Sequence, residues 1–457
     1  MSEGELSQEL YADLGKLFVP LVKHFKPEEG EVNHKGSTID EIDDRPLKSI
    51  VKIGCKYVNQ KGEEKTVEFL LKCRKKPDTS LPPLLRRDEK GRDREFRYYT
   101  LLEGTSGIPK AYTIEKIIAE QEKIKPEEAL EKVKKMRLKV FQRSIIFDYL
   151  GNETLRDKLE EKSVRDRVGR RDVIEGVLDK LLDFQNETTQ RSTTWSIDAN
   201  GLGGLFEERT MKERGLDYAS VLKDLKSSKS LEKKESERIV EIYNNIAEAY
   251  NRGIGNPVIC HGDLTPSNIV VGKERKLYFI DPKLKWRDSM VDLCSLVSSP
   301  GVNLFPEDWE YLAKKLVISG LQKKGATVEN RGVVLFGSKE IGLKEETEKL
   351  ILNTLYKEVL HYSIRNYTVA RASESFEEEA SKRLYKGNII QTINEMRYKV
   401  GVSLYELINS GDRLGMTNEE SKLYADFKEI FQNDFELVYH KRRRRRNMNI
   451  AAGQFFF

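Results

Sequence analysis

The chain has 457 residues, Lys+Arg 80 against Asp+Glu 75 and a net charge of +5, with 34% charged and 38% hydrophobic residues. That length suits two or three compact units with a large core, and the near-balance of charge excludes a dedicated nucleic-acid binder, which needs a clustered basic face. No apolar run approaches the roughly 18 residues of a membrane span, and the N-terminal MSEGELSQELYADLGKLFVP lacks the apolar core of a signal peptide.

Four cysteines (Cys55, Cys73, Cys260, Cys294) are scattered without paired metal spacing. They read as buried free thiols in a reducing setting, so the expected location is the cytoplasm.

Residues 45–77 alternate and turn like a hairpin, with LKSIVKIGCKYV and TVEFLLKCRKK flanking NQKGEEK. Lys72 stands in the apolar run Phe69-Leu70-Leu71-Lys72-Cys73. A lysine there costs desolvation unless it meets an anion; its other reading is the start of the basic cluster with Arg74, Lys75 and Lys76. Upstream, residues 30–44 hold only Gly30 and Gly36 and no GxGxxG. His34-Lys35-Gly36-Ser37-Thr38 could offer N–H groups to phosphates, but an ordinary solvent loop is the simpler expectation.

DREFRYYTLLEG has helical spacing, with Phe96, Tyr99 and Leu102 on one face and Gly104 as a cap. Glu95 falls near its start and Glu103 at its end. Residues 109–118 read as a strand, and residues 119–135 as a solvated helical insertion with Pro126 in a first turn. VFQRSIIF then forms an apolar strand ending at Phe147, followed by Asp148-Tyr149-Leu150-Gly151, and Thr154-Leu155 opens a helix.

Residues 167–186 form an amphipathic helix with Val173, Val177, Leu178, Leu181 and Phe184 on one side. Residues 188–205 read as a polar loop, 223–237 as a solvated connection, and 239–250 as a helix.

The most informative stretch is VICHGDLTPSNIVVGKERKLYFID, residues 258–281. An apolar run delivers His261-Gly262-Asp263, and Asn268 follows before a short hairpin that ends on Asp281. Asp and Asn at strand ends are usually turn formers, but this joint pattern is rare by chance. It suits phosphoryl transfer, in which one carboxylate orients the attacking hydroxyl while an Asn and a second carboxylate hold the metal on the nucleotide phosphates.

These residues resemble the catalytic hairpin of the aminoglycoside phosphotransferase and choline-kinase branch of the protein-kinase-like superfamily. The resemblance is strong over residues 255–297, looser over 48–155, and absent beyond Pro300. It implies an α+β, bilobal protein-kinase-like fold, with a small N-terminal lobe built on an antiparallel sheet and a larger, mainly helical C-terminal lobe. The expected divisions are 1–147 for the first lobe, 148–151 for the hinge, 152–440 for the second lobe and 441–457 for a basic tail.

The resemblance further implies that Asp263 is the catalytic base and that Asn268 and Asp281 bind Mg2+. Lys72 would contact the phosphates of ATP and pair with Glu95. Asp148 and Leu150 would meet the adenine at the hinge, and His261 would be structural. WRDSMVDLCSLV resembles the same branch, where Asp292 would accept hydrogen bonds from the catalytic-loop backbone and Asp288 would shape a turn.

Pro282-Lys283 follows Asp281, and Asp292-Leu293 comes only eleven residues after Asp281. That gap is too short for the activation segment of a peptide-docking kinase. The expected activity is transfer of the γ-phosphate of ATP to a hydroxyl of a small molecule, with an atypical protein serine/threonine kinase as the alternative. Partners are then a nucleotide and a small-molecule acceptor. Beyond Pro300 helices carrying His361, Tyr362, Arg365, Tyr367 and Arg371 suggest an annex whose aromatics chiefly pack a core. The run KRRRRR at 441–446 reads as a solvated tail, with nucleic-acid contact as its lesser reading.

Overall fold

A computed structural model describes residues 3–29, 33–44, 48–74, 91–138, 140–141, 144–151, 153–161, 166–192, 257–323, 333–336, 340–374, 389–422 and 424–425. The chain divides into two compact units, Met1–Thr154 with Asn268–Lys283, and Leu155–Ser267 with Leu284–Phe457. The basic run at 441–446, the connection at 223–237 and the helix expected at 239–250 lie outside the described residues.

The first unit is built on a five-stranded sheet. It uses β1 (Asn33–Asp44), β2 (Lys48–Val58), β3 (Glu64–Arg74), β4 (Ala111–Tyr112) and β5 (Ser144–Asp148), in the order β1-β2-β3-β5-β4. Every pairing is antiparallel, and the register sets Ile50 opposite Lys72 and Lys72 opposite Ile145.

Period-2 alternation sorts β2 and β3 cleanly. Val51, Ile53, Cys55, Tyr57, Val67, Phe69, Leu71 and Cys73 face one core, leaving Ile50, Leu70 and Lys72 on the other face. The β2–β3 turn is fixed by Asn59, whose Oδ1 accepts the N–H groups of Lys61 at 3.0 Å and Glu63 at 2.9 Å.

Against the first face packs α1 (Glu3–Phe25), through Leu10, Leu14, Leu17, Phe18, Leu21 and Val22. These positions recur at three- and four-residue spacing, the signature of a core-facing helix.

Three local expectations are corrected. His34–Thr38 are not a loop but part of β1 paired with β2, and the His34 ring lies 4.0 Å from that of Phe18. Residues expected as a strand from 109 include α3 (Ile114–Glu122), because Thr113 caps the helix by accepting the Lys116 N–H, and Ile114, Ile117 and Ile118 have helical spacing. Neither α3 nor α4 (Pro126–Met136) is a solvated insertion, since both bury apolar residues in the sheet core, Ala129 and Val133 among them. Pro126 does occupy the first turn of α4.

The remaining elements of this unit are α2 (Gly91–Leu101), β6 (Glu153–Thr154), β8 (Ile269–Val271) and β9 (Leu277–Phe279), the last three forming a sheet in the order β6-β8-β9.

In the second unit β7 (Pro257–Cys260) pairs with β10 (Lys285–Asp288). Among the described residues its helices are α5 (Leu155–Glu160), α6 (Arg167–Ser192), α7 (Met290–Val297), α8 (Pro306–Lys323), α9 (Glu345–Glu374), α10 (Ile389–Asn409) and α11 (Gly411–Leu414), with a hairpin of β11 (Val333–Phe336) and β12 (Glu340–Leu343) between α8 and α9. Helix α6 extends through residues 188–192, which were expected as loop.

α9 packs against α7, α8 and α10. Every residue of α7 is buried, as expected of a helix apolar nearly all round. Its last turn is held by Lys399 of α10, whose Nζ donates to the carbonyls of Val297 at 2.9 Å and Ser299 at 2.8 Å and pairs with Glu395.

Candidate active site

In the first unit, β3 delivers Lys72 to the sheet face opposite the α1 core. Its side chain is 2% exposed, hydrogen-bonds Glu95 of α2, and lies 2.9 Å from Asp281 Oδ1. Burial acts to lower the Lys72 pKa, but the carboxylates of Asp281 and Glu95 outweigh it and raise the pKa above the ordinary lysine value. The ammonium is therefore charged, and it is compensated by two carboxylates rather than one. Glu103, the competing choice for the helix glutamate, is 55% exposed and sits 4.0 Å from Lys116.

Asp281 follows β9 in the left-handed region, with φ 61. A non-glycine residue there is strained by roughly 1–3 kcal/mol, and such strain concentrates at functional positions. Tyr99 of α2 holds the conformation, its hydroxyl accepting the Asp281 N–H at 2.7 Å. Burial, with Glu95 and Asp281 nearby, pushes the Tyr99 phenol well above its ordinary pKa. Sequence spacing assigned Tyr99 only to a packing face. The structure gives it a second task that no sequence pattern announces.

Asn268 is buried, at 3% exposure, immediately before β8. Its carbonyl accepts the Ile280 N–H at 2.9 Å, so Asn268 and Asp281 stand at the same end of the β8–β9 hairpin. Both present hard oxygen donors. A magnesium ion is commonly held by one or two such protein groups, with water and phosphate oxygens completing six, so this donor set fits magnesium. Among the described residues there is no cluster of three or more His, Cys, Asp or Glu that would make an all-protein metal cage.

Lys72 also lines a pocket with Ile50, Leu70, Phe147, Leu150, Val270 and Ile280. Asp148 ends β5, its pKa raised by burial and partly offset by Lys110. Leu150 is 6% exposed. Gly151 follows with φ 148, and a Cβ there would lie 2.6 Å from the Val271 carbonyl oxygen; only glycine lets the chain pass β8 so closely.

In the second unit, β7 ends at Cys260 and the chain turns through His261, Gly262 and Asp263. Gly262 adopts φ 78. Beneath the turn lies Asp292, the one charged residue in the wholly buried α7. A buried carboxylate requires hydrogen-bond donors, and Asp292 has them. It accepts the His261 N–H at 2.8 Å, the Gly262 N–H at 2.9 Å and the Gln185 side-chain amide at 3.1 Å. The His261 ring is buried 6.1 Å from that of Phe184.

The Lys285 ammonium donates to the Gly262 carbonyl at 2.9 Å. Asp288 shapes the entry to α7, its Oδ1 accepting the Met290 N–H at 2.9 Å. Asp263 is 9% exposed, and Arg365 of α9 brings Nη2 to 3.5 Å from its Oδ1. Nothing in the spacing of α9 pairs Arg365 with Asp263.

The expected residues thus form two sets. The first unit gathers Lys72, Glu95, Asp281 and Asn268, with Asp148 and Leu150 at the end of β5. The second gathers His261, Asp263 and Asp292. Among the described residues no helix is long and apolar enough to cross a membrane.

No known family profile matches the chain, and no curated protein sequence matches it. Solved structures do. The choline kinase of Cryptosporidium parvum aligns over 90% of this chain and 99% of that one, at 12% identity and a TM-score of 0.51. A Plasmodium vivax ethanolamine kinase aligns over 86% and 89%, at 12% identity and a TM-score of 0.43. An ADP-bound aminoglycoside phosphotransferase aligns over 83% and 98%, at 15% identity and a TM-score of 0.38. The choline-kinase likeness establishes the fold: this chain has the protein-kinase-like fold, an antiparallel sheet in its first unit and a mainly helical second unit.

Proposed function

We propose that the protein is an ATP- and magnesium-dependent phosphotransferase that delivers the γ-phosphate to a hydroxyl of a small molecule. The observation that carries this reading is the buried Lys72 ammonium, held by Glu95 and Asp281 on the wall of an apolar pocket. Its charge is compensated by two carboxylates, and it lines the pocket rather than closing a helix end as Lys399 does. That is the arrangement by which a kinase-like fold prepares a cation for nucleotide phosphates.

In this reading the apolar pocket takes the adenine, hydrogen-bonded by backbone groups of Asp148 and Leu150. Asn268 and Asp281 hold magnesium, which when bound neutralises charge on the phosphates. Asp263 accepts the proton of the acceptor hydroxyl and orients it for in-line attack. Asp292, by fixing the N–H groups of His261 and Gly262, keeps Asp263 in place. Tyr99 fixes the backbone of Asp281. Rate enhancement comes from alignment and charge stabilisation, with little covalent work by the protein. The proposed location is the cytoplasm, consistent with four free, buried cysteines.

The test is ADP release by the full chain across a panel of hydroxylated metabolites with and without magnesium. The reading predicts acceptor-stimulated, magnesium-dependent turnover for one chemical class. Thermal stability unchanged by millimolar MgATP, with no turnover on any member, would overturn it.

A further inference from the structure

The charge around Asp263 points to the class of acceptor. Resting on the phosphotransferase reading above, we propose that the acceptor is an anionic alcohol, a hydroxyl compound bearing a carboxylate or phosphate, and that Arg365 recognises its charge. The Arg365 guanidinium lies 3.5 Å from the carboxylate that is to hold the reacting hydroxyl. A substrate bound there has the guanidinium as its neighbour.

Exposure decides which charge such a substrate meets. The Arg365 side chain is 27% exposed and that of Asp263 12%, so the cation is the more accessible member of the pair. A second cation flanks the same turn, the half-buried Lys285 with its ammonium on the Gly262 carbonyl at 2.9 Å. The other anion of the turn, Asp292, is fully buried and committed to three donors. Glu358, the next acid back on this face of α9, is 2% exposed and lies seven residues away, about 10 Å along the helix.

Among the described residues of the Asp263–Arg365 pair and the turn beside it, the more accessible charge is therefore positive. A cationic amino alcohol would place like charge beside Arg365, whereas an anionic group would meet a planar fork suited to carboxylate or phosphate geometry.

Charge-matched acceptors separate these cases. D-glycerate and glycerol 3-phosphate (anionic), glycerol (neutral), and choline and ethanolamine (cationic) are titrated into the full chain loaded with Mg2+ and a non-hydrolysable ATP analogue. Binding is read by thermal shift, and ADP release is read in parallel with ATP. The expected result is binding of at least one anionic member about tenfold or more tighter than glycerol, with the cationic members weaker than glycerol. Arg365→Gln should remove the anionic preference, Arg365→Lys should retain part of it, and Arg365→Glu should reverse it.

Tighter binding of the cationic members would overturn the proposal. So would the absence of any anionic preference, or a preference unchanged in Arg365→Gln. Stabilisation of the wild type by the magnesium nucleotide, and its loss in Lys72→Met, report separately on the phosphotransferase reading.

Discussion

Replacing Lys72 with Met should destabilise the first unit in a way that identifies the cause. The side chains of Lys72 and Glu95 are 2% and 5% exposed, and Asp281 Oδ1 is 2.9 Å from the ammonium. Removing the cation leaves the buried Glu95 and the partly exposed Asp281 without it, and breaking a buried pair in this way costs about 3–5 kcal/mol. For a unit of about 170 residues, each kcal/mol moves Tm by roughly 2–4 °C, so a fall of about 10 °C is expected.

The pH dependence adds a second signature. In the wild type the folded pKa of Lys72 lies above its ordinary value. Its contribution is therefore complete below the ordinary lysine value and is lost only as pH rises through the folded value, so neutral pH retains all of it. In Lys72→Met the orphaned carboxylates favour protonation, so the deficit should narrow between pH 7.5 and pH 5. Lys72→Met combined with Glu95→Leu should recover about 2 kcal/mol, because one orphaned charge is gone. Thermal melts by circular dichroism at the two pH values measure all three effects. A Tm within 2 °C of wild type for Lys72→Met, or a double variant less stable than the single one, would refute the reasoning.

Other outcomes follow from the same contacts. Asp292→Ala strips acceptors from the N–H groups of His261 and Gly262 and from Gln185; it should cost about 3 kcal/mol or more in urea unfolding and reduce kcat more than it raises KM for ATP. Tyr99→Phe removes the acceptor of the Asp281 N–H and should cost about 1–2 kcal/mol, with weaker magnesium dependence of nucleotide binding in a metal titration. His24 is 3.9 Å from Glu120, yet burial, together with Lys116 and Lys110, lowers its pKa to about 4, so it is neutral at pH 7. A depressed histidine pKa means the unfolded state binds the proton first; stability should fall as pH drops from 6.5 towards 4, and His24→Phe should flatten that slope in pH-dependent melts.

Much of this was legible in the sequence where local rules and tertiary demands agree. The β2–β3 hairpin announced itself through alternation and the Asn59 turn, and Lys72 stood out as a charge in an apolar strand. Glu95 and Glu103 are eight residues apart on similar text, and only the fold shows that Glu95 faces the lysine while Glu103 faces solvent.

The expected strand at 109–118 failed because Ile114, Ile117 and Ile118 are β-branched, and that preference hid their helical spacing and the Thr113 cap. β1 went unseen because it pairs on one edge only and its acidic residues break apolar alternation. The Arg365–Asp263 pair spans 102 positions, and no periodicity connects residues so far apart. Tyr99 illustrates a third limit, since an aromatic on a helix face reads as packing until its hydroxyl is seen to hold a backbone N–H.

The most direct test of the central claim is transfer of phosphate from radiolabelled ATP to pooled small hydroxyl compounds, comparing the wild type with Asp263→Asn. A general base contributes about 10²–10⁴-fold. The account predicts acceptor labelling by the wild type, a loss of at least about 100-fold in the variant, and MgATP binding retained in both. Labelling by Asp263→Asn at the wild-type rate would contradict it.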